Sequence, residues 1–137
     1  MIAINQLLGT PFLAGGRSSV GIDCLGVTLA VSAHLGNPIP DPWLAFLEQW
    51  NRQAKGQPPL DLPGFPNTWR RLDYADDVRA WSRDVHTGDV WLWHGTPARM
   101  PGAGIMYKGR VWTAKPDAGV LALEPHRAPK PDEVWRP

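Results

Sequence analysis

The chain has 137 residues, 14 Lys and Arg against 13 Asp and Glu, a formal net charge of +1 at pH 7, and 43% hydrophobic residues. That near-neutral balance gives no electrostatic footprint for nucleic acid or an anionic membrane, since both require clustered cations, and no apolar run reaches the roughly 20 residues of a membrane span. The length suits one domain with its own core, made loop-rich by 14 Gly and 15 Pro.

In chain order, Ile2, Ile4, Leu7 and Leu8 form a short helix-like stripe that stops at Gly9. Thr10 to Gly21, with Pro11, Gly15, Gly16, Ser18 and Ser19, has the composition of a loop. From Asp23 to Leu35 the chain is apolar nearly all round and ends at Gly36-Asn37-Pro38. This predicts a buried helix with Asp23 as N-cap and Cys24 in its first turn. Asp41 followed by Pro42 predicts the start of a second helix, with Trp43, Leu44, Phe46, Leu47 and Trp50 as its apolar face. Prolines 58, 59, 63 and 66 make Gln57 to Pro66 a rigid connection that packs through Leu60, Leu62 and Phe65. Thr68 to Trp81 is read as a short polar helix.

The period then becomes strand-like. Val90 to His94 follows the turn residues Thr87-Gly88-Asp89, and Ala103 to Tyr107 is a second apolar run. Lys108-Gly109-Arg110 turns into Val111 to Ala114, and Val120 to Glu124 follows Asp117-Ala118-Gly119. Four closely spaced strands predict an antiparallel meander, and helices followed by a small sheet describe an α+β domain. The tail from Arg127 to Pro137, carrying prolines 129, 131 and 137, is expected to be extended and to pack only through Val134 and Trp135.

Cys24 is the single cysteine, which excludes an intrachain disulfide and a multi-cysteine zinc site. A thiol in the first turn of a helix has its thiolate favoured by the unpaired N–H groups and the dipole there, so Cys24 is a candidate nucleophile. The plainer alternative is buried filler, the ordinary fate of a lone cysteine on an apolar helix. Asp23 is accounted for by capping, and Gly15-Gly16 lacks the Lys-Ser/Thr ending of a phosphate-binding loop. Asp76-Asp77 and Arg70-Arg71 read as solvated, mixed-charge surface. None of the four histidines has ligand spacing to another histidine or a carboxylate, so neither a metal nor a cofactor is expected. Of the eight tryptophans most should complete the core, with Trp43 and Trp69 as candidates for a partner-facing surface.

Leu8-Gly9-Thr10-Pro11-Phe12, Gly15-Gly16 and then Gly21-Ile22-Asp23-Cys24-Leu25-Gly26 together resemble the entry to the NlpC/P60 superfamily of papain-like cysteine peptidases and amidases. There a "LG-x-PY-x-x-GG" segment leads into "G-x-DC-x-G", with the nucleophile opening a buried helix. Thr87 to Trp93 is similar to the family's "GDL-V-F-F" strand, and Ala103-Gly104-Ile105-Met106-Tyr107 to the remainder of its "HVGIY" strand. Val111 to Ala114 and Gly119 to Leu123 are similar to its last two strands. The likeness makes residues 1–137 one NlpC/P60-like domain, with 37–83 a variable helical and proline-rich insertion and 127–137 an extended tail. It implies N-terminal helices packed on a small antiparallel sheet, with amide bonds of peptidoglycan stem peptides as the substrate class.

The departures decide the functional reading. Counting back from Gly104, the histidine that opens "HVGIY" and serves as general base falls on Gly102, and the polar residue that orients it falls at about Thr113. A cysteine peptidase needs an imidazole near sulfur to form the thiolate and later to protonate the leaving amine. The expectation is therefore a catalytically degenerate domain acting as a structural or peptide-binding component of a phage or prophage tail tip, in contact with other virion proteins through Trp-rich surfaces. It would reside in the virion, or in the cytoplasm before assembly, since no signal peptide is evident and no membrane insertion is expected. The alternative is an active endopeptidase or amidase in which Cys24 attacks and His94, ending a strand across from Gly102, is a relocated base. A free-standing bacterial protein that binds cell-wall peptides is a third reading. His34, His86 and His126 read as structural or surface residues.

Overall fold

The computed structural model describes residues 3–41, 48, 51–52, 55–57, 65–74, 80–95 and 101–137. The predicted second helix falls almost wholly outside the described residues, as do Trp43, Asp76, Asp77 and most of the proline-rich connection.

The apolar stripe near the N-terminus makes only a single 3-10 turn, Ile4–Gln6; so short a stripe, stopped at Gly9, is too little to nucleate a longer helix. β1 (Arg17–Ser18) and β2 (Gly21–Ile22) form a short hairpin that leads into α1 (Cys24–His34). Asp23 caps α1 by accepting the Gly26 N–H at 2.8 Å, and also accepts the Gly15 N–H at 2.8 Å and the Arg17 guanidinium at 2.7 Å. The glycine spacing has a steric cause. A Cβ on Gly26 would stand 2.8 Å from the Gly16 carbonyl oxygen, and one on Gly16 would stand 2.4 Å from that of Gly21. Only glycines let this loop lie directly against the turn that carries Cys24.

The rest of the chain builds one sheet. It comprises β3 (Arg70–Leu72), β4 (Val90–Trp93), β5 (Gly102–Tyr107), β6 (Arg110–Lys115), β7 (Gly119–Leu123) and β8 (Glu133–Arg136), with a short helix α2 (Ala80–Arg83) between β3 and β4. The six strands run in the order β3-β8-β4-β5-β6-β7, every neighbouring pair antiparallel. The predicted meander is the β4 to β7 part.

Two expectations are corrected by long-range pairing. Within the stretch expected to hold a short polar helix, Arg70 to Leu72 pair with Arg136 to Val134 as an edge strand, and among the described residues helix begins only at Ala80. The tail is not a loosely packed extension, because β8 inserts between β3 and β4. Its Arg136 is buried at 9% exposure and grips Asp89 through two hydrogen bonds of 2.8 Å. Asp89 also accepts the His86 N–H at 3.0 Å, so one carboxylate joins the turn before β4 to the end of the chain.

Both faces of the sheet are covered. On one, Val27 and Val31 of α1 share a core with Val90, Leu92, Ala103, Ile105, Trp112 and Ala114. On the other, Trp91, Met106, Val111 and Val134 pack with Leu72, Trp81 and Trp93. Each fully buried aliphatic side chain contributes about 1.5–3 kcal/mol. Trp69 is corrected from a partner-facing residue to a core residue, 7% exposed with its ring 5.2 Å from that of Phe65. Among the described residues no helix is long and apolar enough to cross a membrane.

Candidate active site

The capped first turn of α1 and the open ends of β5 and β6 meet at a cavity of about 290 Å³ lined by Cys24, Trp93, Gly102 and Thr113, with Lys115 and Asp117 on its β6–β7 side. The three positions singled out by the family resemblance, Cys24, Gly102 and Thr113, thus come together at one place.

The cavity does not favour a thiolate. Cys24 is 5% exposed, and burial pushes its thiol up to about 11, with the adjacent Asp23 carboxylate adding to the rise. A hydrogen bond from the Ala103 backbone opposes the shift without overcoming it. The expectation that the helix N-terminus would lower this pKa is therefore corrected: desolvation of a buried anion outweighs the backbone hydrogen bonds of the first turn. Gly102 faces Trp93 across the β4–β5 pair, and an added Cβ would meet only the indole, at 3.4 Å. There is room there for a side chain to start, and none is present. Thr113 is buried and its hydroxyl donates to the Ala103 carbonyl at 2.7 Å, so its proton is engaged with backbone.

All four histidines lie among the described residues, and none lines this cavity. His94 was expected across from Gly102, but the residue paired with Gly102 is Trp93. The His94 ring instead meets Glu133 at 2.5 Å, and its backbone N–H donates to Asp132 at 2.6 Å. β8, which carries Glu133, lies on the side of β4 away from β5, so this contact draws the imidazole away from the Gly102 edge. Burial raises the Glu133 carboxyl, yet hydrogen bonds from His94 and Trp135 and the charge of Arg71 outweigh it and hold the group below the usual range. His34 meets the Tyr107 hydroxyl at 3.5 Å, His86 meets Asp84 at 3.4 Å, and His126 meets Glu124 at 3.4 Å. Among the described residues no group of three His, Cys, Asp or Glu is placed to hold a metal ion.

No protein-family model and no curated protein matches the sequence. Among solved structures, the NlpC/p60 domain of the peptidoglycan hydrolase SagA matches with a TM-score of 0.58 and 18% identity, over 98% of this chain and 92% of that one. The chain has the NlpC/p60 fold. This agrees with the α+β class and with the fold implied by the resemblance read from the sequence.

Within this NlpC/p60 fold, sequence reasoning missed the part that Trp93 and Pro129 play. Trp93 spans the cavity wall, and its indole N–H donates to the Pro129 carbonyl at 2.9 Å, which ties the segment before β8 to the cavity. The proline run 129–131 carried no signal for that contact, because its partner lies 36 residues upstream. What remains around Cys24 is a buried thiol in a largely apolar slot with Lys115 and Asp117 at its rim.

Proposed function

We propose that the chain is a catalytically disarmed NlpC/p60-like domain whose cleft binds peptide, or serves as a structural surface, in a phage or prophage tail tip. The observation that supports this most is the composition of the cavity: the thiol lies there with Gly102 and Thr113, while every histidine is engaged elsewhere. A thiol at about 11 is ionised to roughly one part in ten thousand at pH 7. Without an imidazole, neither thiolate formation nor protonation of a leaving amine has an agent.

The ligand class we propose is a peptidoglycan stem peptide, seated against Trp93 with its charged groups facing Lys115 and Asp117. The tail-tip setting rests on the resemblance to compact members of the family, with contacts to other virion proteins through Trp-rich surfaces. The alternative, an active endopeptidase or amidase, requires His94 to leave Glu133 and turn back across β4.

The test is release of soluble fragments from purified peptidoglycan by the wild type, Cys24→Ala and His94→Ala, together with binding of a soluble stem peptide followed by tryptophan fluorescence. The reading predicts binding by all three proteins and release by none. Release by the wild type that is lost in both variants would overturn it.

A further inference from the structure

We propose that a second cleft, on the sheet face opposite α1, is a binding site for a neutral oligosaccharide. It lies between β3, α2 and the segment entering β8, has a volume of about 410 Å³, and is lined by Tyr74, Trp81, Arg71, Lys130, Asp132 and Glu133 among others. This exceeds the cavity at Cys24 and falls in the range of small-ligand pockets, roughly 300–1,000 Å³. It shares no lining residue with that cavity, so the proposal stands apart from the reading of Cys24.

The aromatic groups are held in place before any ligand arrives. Trp81 packs edge-on against the buried Trp91, with ring centroids 5.5 Å apart and planes at 82°. The Tyr74 hydroxyl donates to the Asp84 carbonyl oxygen at 3.2 Å and lies 3.1 Å from its carboxylate. The acceptors are fixed as well. Glu133 accepts from the Trp135 indole at 3.1 Å and meets His94, and Asp132 accepts the His94 N–H. Each carboxylate has about four acceptor positions, so both keep lone pairs for a ligand. Arg71, with 56% of its side chain exposed and 3.7 Å from Glu133, supplies donors, as does Lys130.

This arrangement selects a chemical class. Cations and carboxylates are interleaved around one cleft, so a strongly charged ligand would meet like charge wherever it settled. Sugar hydroxyls both donate and accept and can satisfy both signs at once. The C–H face of a pyranose ring is apolar and suits a flat, half-buried aromatic surface, which buries area at little entropic cost. Ordered side chains lower the cost of ordering on binding further.

The experiment is an amide-resolved NMR titration of the full chain with chitotetraose and with cellotetraose, and with a highly sulfated oligosaccharide as the charged comparison. Saturable shifts confined to residues 71–74, 81 and 130–134 are expected with at least one neutral sugar. Response to both neutral sugars indicates recognition of the ring, and response to chitotetraose alone indicates recognition of the acetamido group; either supports the site. Arg71→Ala and Lys130→Ala, on exposed side chains, should each weaken binding about fivefold, the effect of losing one hydrogen bond. No saturable shift with either neutral sugar, tighter binding of the sulfated one, or affinity unchanged in both variants would overturn the proposal. Alkylation of Cys24, followed on the same samples, reports on the other cavity separately.

Discussion

At Cys24 opposed local influences compete, and their order settles the chemistry. Burial and the Asp23 carboxylate disfavour the anion and win over the backbone hydrogen bonds of Ala103, Leu25 and Cys24, leaving the thiol near 11. The sign of the linkage follows. A thiol near 8.5 in the unfolded chain and near 11 in the fold favours folding fully below about pH 8.5, and that contribution is lost as pH rises toward 11. Urea unfolding from pH 7 to 11 should therefore show an alkaline fall in stability that is reduced in Cys24→Ala. A second expectation concerns Gly102, where a Cβ meets nothing closer than the Trp93 ring at 3.4 Å. Gly102→His should place an imidazole in the cavity and raise the iodoacetamide reactivity of Cys24 at pH 7 at least about tenfold, since an adjacent imidazolium lowers a thiol pKa by several units. That Cys24, Gly102 and Thr113 converge was legible through the family resemblance. The thiol's protonation was not, because it depends on residues from β5 and β6 that bury it, about 80 to 90 positions away in sequence.

Among the elements, β8 shows most clearly what a linear reading lacks. Glu133 to Arg136 is four residues long, preceded by two prolines, and pairs with β3 some 60 residues earlier. Nothing in its own pattern distinguishes it from a tail; the bidentate Arg136–Asp89 pair and the central place between β3 and β4 come from tertiary structure. The meander was legible because its partners are consecutive and its turns carry Lys108-Gly109 and Gly119. α1 was legible too, through its Asp23 cap and its stop at Gly36, which takes φ +82°. Removing one partner of a buried ion pair leaves the other uncompensated, at a cost of about 3–5 kcal/mol. Arg136→Met should lower stability by that order in urea unfolding, and Asp89→Leu combined with Arg136→Met should recover a large part of it. If the double variant were no better than the single one, Arg136 would be acting through packing and not through the ion pair.

For the molecule as a whole, the sheet is the common wall of two cores. Trp112 and Trp69 belong to the core under α1, and Trp91, Trp81 and Trp93 to the opposite one. The reading that most tryptophans complete the core fits the described ones, each of which packs in one core or the other. Shared strands should make the two cores unfold together, so tryptophan fluorescence and far-UV circular dichroism should give superimposable urea transitions. The Cys24 cavity and the Arg71–Glu133 cleft share no lining residue, so the two proposed binding sites can be tested independently. The absence of a base beside the thiol is tested most directly by the pH dependence of Cys24 alkylation in the native protein. The rate should rise steadily with pH toward a single step near 11, with no plateau at neutral pH; a plateau below pH 7 that disappears in His94→Ala would contradict it.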